Sequence, residues 1–192
     1  MTIAVTCTAP ASPFIETDRL ILKRPDRSHA ERIAQLCDDP TIAENTALIP
    51  HPYAVSDANE WLDLIEARPS ADLVFGIYLN IPDPVLIGAV SLQREEQNRD
   101  PKLGYWLGAA YRGHGFSTEA ARSVIRHGFL AHDFTAVSVS CRITNAASRR
   151  VIEKCGFTYA GLGRAHLRSL DREEPMDLFR LTREQWQRRR RR

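Results

Sequence analysis

Apolar residues recur along this chain at two spacings, and the alternation between them predicts a series of short elements. Arg19–Lys23 alternates as a short strand. Ser28, followed three residues later by Glu31, reads as a capping box. Ile33, Ala34 and Cys37 then share one helical face up to about Asp38, and Pro40 ends the helix. A second helix is predicted from Ser56, with Trp61, Leu62 and Ile65 on its buried side, stopping before Pro69. The long connection Thr41–Val55 between them, with Pro50, His51, Pro52 and Tyr53, has the length of a substrate-facing loop.

Two strand-like runs follow, Leu73–Leu79 and Val85–Gln93. Asn80-Ile-Pro-Asp-Pro84 between them marks the turn of an antiparallel hairpin. Lys102–Leu107 is a further strand. In the C-terminal half the period switches regularly. Ala120, Ala121, Val124, Ile125 and Phe129 define a helix from about Ser117 to His132. Thr135–Arg142 reads as a strand and Ala146–Cys155 as a helix with Gly156 at its C-terminal cap, and Phe157–Gly163 and Met176–Leu181 as two more strands. Antiparallel pairing first and strand–helix–strand returns later imply an α/β fold: a mixed central sheet of about seven strands with helices on both faces.

Composition narrows the class. The 192 residues are 43% hydrophobic and 26% charged, enough to build one sizeable core. No run approaches the roughly 18 apolar residues of a membrane span, and Met1–Pro13 reads as a loose leader rather than a signal peptide. A cytoplasmic protein that does not meet the membrane is the expectation. Net charge is +2, but without the arginines at 188–192 the 26 basic residues fall to 21 against 24 acidic, a net charge of −3. That argues against a nucleic-acid-binding face and makes residues 188–192 a disordered arginine tail beyond a domain at 14–187. Cys7, Cys37, Cys141 and Cys155 have no metal-ligand spacing and no disulfide-scaffold density, so buried thiols are expected. His127 and His132 are five apart and would not share a helical face as metal ligands. No metal is expected.

The chemistry concentrates at Arg112-Gly113-His114-Gly115-Phe116-Ser117-Thr118, between a strand and a helix. Glycines at 113 and 115 allow a tight turn that exposes its N–H groups, and the following helix start adds its partial positive charge. A diphosphate would fit there. The loop lacks the lysine of a P-loop, and Thr118 stands where a dinucleotide fingerprint needs its third glycine. Asn145-Ala-Ala-Ser148 opens the next helix, with Asn145 placed to cap it. Both helix starts follow adjacent parallel strands, where open α/β sheets place ligands.

These segments together resemble a known family. Arg112-x-x-Gly115-x-Ser117 looks like the pyrophosphate loop of the GNAT N-acetyltransferase superfamily. Gly104-Tyr-Trp-Leu107, Tyr111 to Ala120 and Asn145 to Phe157 resemble its RimJ/RimL-type branch, as does the opening Glu16-Thr-Asp-Arg-Leu20. The resemblance implies a GNAT fold with splayed parallel central strands and acetyl-CoA as acyl donor. Trp106 and Leu107 would hold the pantetheine arm with Asn145. Arg112 and the amides of Gly113, His114, Gly115, Phe116, Ser117 and Thr118 would hold the pyrophosphate.

Transfer of acetyl to a primary amine needs a neutral amine and a protonated thiol leaving group. By similarity Ser148 is the acid and His166, through its imidazole, the base. A glutamate that many relatives carry on the 102–107 strand is replaced by Lys102, and Ile152 stands where a tyrosine acid would be. The acceptor would be a protein N-terminal α-amine or a small amine, attacked directly in a ternary complex by a monomer or homodimer. Glu95 and Glu96 could meet a cationic acceptor, and Tyr53 and Trp61 could wall its site. A non-catalytic acyl-CoA-binding regulator is the alternative, and a nucleotide-binding module a weaker one.

Overall fold

The computed structural model describes residues 14–67, 73–94 and 100–190. The leader 1–13, Glu95 and Glu96, and residues 191–192 lie outside them. Eight strands form one sheet: β1 (Ile15–Glu16), β2 (Leu20–Lys23), β3 (Leu73–Leu79), β4 (Leu86–Gln93), β5 (Lys102–Leu107), β6 (Ala136–Arg142), β7 (Thr158–Leu167) and β8 (Arg172–Thr182). Their order across the sheet is β1-β2-β3-β4-β5-β6-β8-β7. The expected mixed α/β sheet is present, with the two-residue β1 added at its edge. β8 inserts between β6 and β7, so the return from β6 is not to its neighbour: β6 and β7 each pair antiparallel with β8.

α1 (Ala30–Cys37) and α3 (Val55–Ala67) cover one face, where Ile33, Leu36, Leu62, Tyr78 and Leu86 pack together. α4 (Phe116–Ala131) covers the other, burying Val124, Ile125 and Phe129 against Leu22, Phe75, Ile77, Val90 and Leu92. α5 (Ala146–Cys155) lies beside α4 and adds Ile152 to that core. Leu86 and Leu92 face opposite cores because Ile87 is an extra residue opposite the Ile77/Tyr78 step, a bulge that reverses the alternation of β4.

Three local expectations are corrected. The capping box belongs to Asp26, which accepts from the Ser28 amide at 2.9 Å and is answered by the His29 ring; Ser28 donates its hydroxyl to Asp26 instead of capping Glu31. Pro40 starts a helix as well as following one: α2 (Pro40–Ala43) is capped by Asp39, with proline in its first turn. Arg188–Arg190 are not a disordered tail but the end of α6 (Arg183–Arg190). Arg183 anchors this helix by donating to the carbonyls of Phe129, His132 and Phe134. Arg188 then pairs with Glu184, and Arg190 lies over Trp186.

Cys37 and Cys141 are buried and free, and burial pushes the Cys37 thiol up to about 12. His127 and His132 do approach, their rings 6.1 Å apart, because His132 has left the helix with an extended backbone and is no longer bound by helical spacing. Among the described residues no cluster of His, Cys, Asp or Glu suits a metal ion, and no helix is long and apolar enough to cross a membrane.

Candidate active site

The sheet opens between β5 and β6. β4 pairs with β5 along six residues, Gly88↔Leu107 to Gln93↔Lys102, whereas among the described residues β5 and β6 share the single pair Lys102↔Ser138. Asp100 clasps the closed end by accepting from the Thr135 hydroxyl (2.7 Å), the Ala136 amide (2.9 Å) and Arg180 (2.9 Å). Above this clasp the strands diverge. The Gly108 amide bonds β4, at the Ile87 carbonyl, while Pro101 and Leu107 carbonyls point to the opposite side. Strand alternation therefore directs the N–H and C=O of Tyr105 and the N–H of Leu107 into the gap. Trp106 has its backbone groups toward β4 and its ring against the α1–α3 core. Its carbonyl passes so close to Gly88 that a Cβ there would lie 2.3 Å away, so this crossing requires glycine.

At the open end, β5 leads into the glycine loop and α4. Gly113 (φ +83°) and Gly115 (φ +82°) both take the left-handed conformation. The last paired amides flanking the loop are Arg112 N–H to the Ala109 carbonyl and Glu119 N–H to the Gly115 carbonyl. Between them, Gly113, His114, Gly115, Phe116, Ser117 and Thr118 donate no backbone bond among the described residues. Six consecutive open donors at the start of a 16-residue helix are an arrangement that could receive an anion.

Arg112, expected on the ligand, is committed within the protein. It donates to the Leu107 carbonyl (3.0 Å), the Thr41 hydroxyl (2.6 Å) and the Asp39 carboxylate (2.7 Å). Its guanidinium thus pins the loop to α2. A groove of about 970 Å³ continues from Gly115 and Thr118 along α4, past Arg122, Arg126 and Lys154.

Asn145 caps α5 by accepting from the Ser148 amide at 2.9 Å. Its carbonyl oxygen is used in that bond, and its amide nitrogen is the end that could meet a ligand. Ser148 stands one turn into α5, with its Oγ 2.8 Å from the Tyr105 hydroxyl. Tyr105 thereby bridges β5 and α5 across the splayed strands. Burial pushes the Tyr105 hydroxyl well above the usual tyrosine range, against the opposing effect of the Ser148 hydrogen bond, and keeps it protonated. The Gly104-Tyr-Trp-Leu107 motif contains Tyr105 without marking its hydroxyl as part of the site. The available signal was alternation, which places its ring on the same face as Leu103 and Leu107.

His166 lies on the exposed side of β7, opposite Glu173, with Nε2 3.5 Å from the Asp171 carboxylate. Its polar partner is Asp171, not Ser148 or Tyr105, which bond each other. Alternation puts it on the sheet face that carries Asp177, where Asp177 receives Arg149 of α5 at 2.7 Å. The tip of the β7–β8 hairpin packs on α2: Arg168 N–H bonds the Ala47 carbonyl (3.0 Å) and the Ser169 hydroxyl the Ala43 carbonyl (2.8 Å). Arg142 joins the same junction through Glu174 and the Glu44 carbonyl. Tyr53 is buried and Trp61 packs partly buried against the α1–α3 core, which explains both without an acceptor.

The parallel strands β5 and β6 thus part beyond one residue pair, and a loop of open amides follows β5. Residues 19–158 match the acetyltransferase (GNAT) domain, and the chain belongs to that family. Among curated relatives, YdaF of Bacillus subtilis (strain 168) is 29% identical over 106 residues, covering 55% of this chain and 58% of the relative. The ribosomal-protein-serine acetyltransferase of Escherichia coli (strain K12) is 28% identical over 86 residues, covering 44% and 48%. The match therefore spans about half the length of these two relatives. Among solved structures, RimL, a ribosomal alpha-N-protein acetyltransferase in complex with coenzyme A, superposes with a TM-score of 0.76 at 17% identity, over 88% of this chain and 98% of that one. The RimJ/RimL-type resemblance and the GNAT fold expected from the motifs are both found.

Proposed function

We propose that this protein moves an acetyl group from acetyl-CoA to a primary amine by direct attack in a ternary complex. The observation that carries this reading is that six open amides, Gly113 to Thr118, follow a strand whose edge at Tyr105 and the Leu107 N–H is left without a pair by β6. A diphosphate matches the amides, and a pantetheine arm with its two amide groups matches the strand edge. Arg122, Arg126 and Lys154 along the adjoining groove suit the remaining phosphate of the donor.

The chemistry follows from Ser148 on α5 and His166 on β7. The amine nitrogen attacks the thioester carbonyl, forming the C–N bond, and the C–S bond breaks to release thiolate. Ser148 donates its proton to the thiolate and is held for this by Tyr105. His166 takes the proton lost by the amine, through a water molecule, from its place on the α5 side of the sheet. The junction of the β7–β8 hairpin with α2 borders the acceptor. The substrates named for the E. coli relative and for RimL, ribosomal proteins, make a protein N-terminal α-amine the first acceptor to test.

Two measurements test the reading. Acetyl-CoA, but not ATP or NAD, is expected to raise the melting temperature, since a ligand specific for the folded state stabilises it. Thiol release over a panel of amines and N-terminal peptides is expected to find an acceptor. Equal shifts with ATP would point to a nucleotide site, and acetyl-CoA binding with no turnover across the panel to a non-catalytic sensor.

A further inference from the structure

The glycine loop is held from outside by Arg19, which lies just before β2 and more than ninety residues away in sequence. Arg19 Nη1 donates to the His114 carbonyl at 3.0 Å, and Nε to the Glu119 carboxylate at 2.8 Å. The guanidinium carbon sits 4.8 Å from the centre of the Phe116 ring. Glu119 also accepts from the Thr17 hydroxyl (2.7 Å) and the Arg19 amide (3.2 Å), so the cluster joins the first strands to the start of α4.

Two physical consequences follow. A trans peptide carries its C=O and N–H on opposite sides. With the His114 carbonyl drawn toward Arg19, the Gly115 N–H is turned the other way, to the open side of the loop. Gly115 sits at φ +82° with no Cβ to hinder rotation of that peptide, so the bond from Arg19 sets its orientation. The second consequence is electrostatic. Glu119 places a carboxylate in the first turn of a helix whose amino end receives an anion. Unpaired, it would repel a phosphate; the Arg19 guanidinium neutralises it at hydrogen-bond distance.

We propose that Arg19 is a positioning residue for the acyl donor, aiming the Gly115 N–H at the diphosphate and cancelling the charge of Glu119. This rests on the reading of residues 113–118 as the diphosphate site. It extends that reading to a residue outside the loop.

The test compares CoA with pantetheine, which keeps the arm and lacks the diphosphate, on the full chain. CoA affinity is read by calorimetry and pantetheine affinity by NMR titration, each variant checked as folded by circular dichroism. For Arg19→Ala the expected result is a loss of CoA affinity of about tenfold or more, the scale of a charge-assisted hydrogen bond, with pantetheine affinity within about twofold of the unmodified protein. Arg19→Lys keeps the charge but cannot reach the His114 carbonyl and Glu119 in the same fork, and should lose a similar amount. Equal losses for CoA and pantetheine would mean general damage to the cleft and overturn the proposal. So would unchanged CoA binding in Arg19→Ala, or full recovery with lysine, which would reduce the role to charge. Failure of the unmodified chain to bind CoA would instead sink the site assignment, and the proposal with it.

Discussion

The Tyr105 hydroxyl lies 2.8 Å from Ser148 Oγ and joins a strand to a helix across the gap where the sheet divides. The bond fixes the serine hydroxyl against β5, and it comes from a residue whose own backbone edge faces the gap between β5 and β6. Replacing Ser148 by alanine should lower kcat by about a hundredfold, the lower end of what a positioned acid contributes. Tyr105→Phe removes only the orienting bond and should cost about tenfold in kcat, with KM for acetyl-CoA little changed. Steady-state thiol release with a productive acceptor measures both, and an unchanged kcat in Tyr105→Phe would remove the tyrosine from the mechanism.

His166 is tested by setting rate against binding. If it accepts the amine proton, His166→Ala should lower kcat by about a hundredfold or more while leaving acetyl-CoA binding intact. Turnover equal to that of the unmodified protein would exclude the imidazole as the base.

Gly88 is required by the close pairing of β4 with β5. An alanine Cβ would lie 2.3 Å from the Trp106 carbonyl and 2.6 Å from the Leu107 side chain. Backbone must move to relieve the first of these contacts, and the expected destabilisation is about 1–3 kcal/mol. Urea unfolding of Gly88→Ala measures it. Because Leu107 ends the open part of β5, acetyl-CoA affinity should fall as well.

Stability should decline in acid partly through Glu119. Burial alone would raise this carboxyl, but the Thr17 hydroxyl and the Arg19 guanidinium and amide outweigh it and hold the group below its ordinary value of 4.5. A carboxyl whose folded value is depressed contributes stability that is fully present above the unfolded value and is lost as pH falls through the lower folded one. Glu119→Gln should therefore be less stable at neutral pH and lose less on acidification, approaching the unmodified protein below that window. Thermal unfolding midpoints from neutral pH downward check the sign; parallel curves would show that Glu119 does not titrate with folding.

Much of this arrangement is written locally. Gly113 and Gly115 before an amphipathic helix, Asn145 three residues ahead of Ser148, and Gly156 after Cys155 each perform at short range the role their residue types suggest: left-handed turns, a side-chain cap and a left-handed helix end. The apolar spacing of β3, β4 and α4 placed their cores with errors of a residue or so at the ends. Arg112 shows where that legibility stops. Its place in the loop motif suggested a ligand contact, yet Asp39 and Thr41, some seventy residues away, take its guanidinium.

The sequence by itself determined the alternation of elements, the glycine loop and the capped helix beside it, because propensity, turn chemistry and capping act over a few residues. Tertiary structure alone decided that β8 enters between β6 and β7, that β5 and β6 part after Lys102, and that Tyr105 meets Ser148 and Arg19 meets His114. Those relations depend on which distant surfaces are buried together. Burial is shared by the whole core, and no stretch of residues carries it alone.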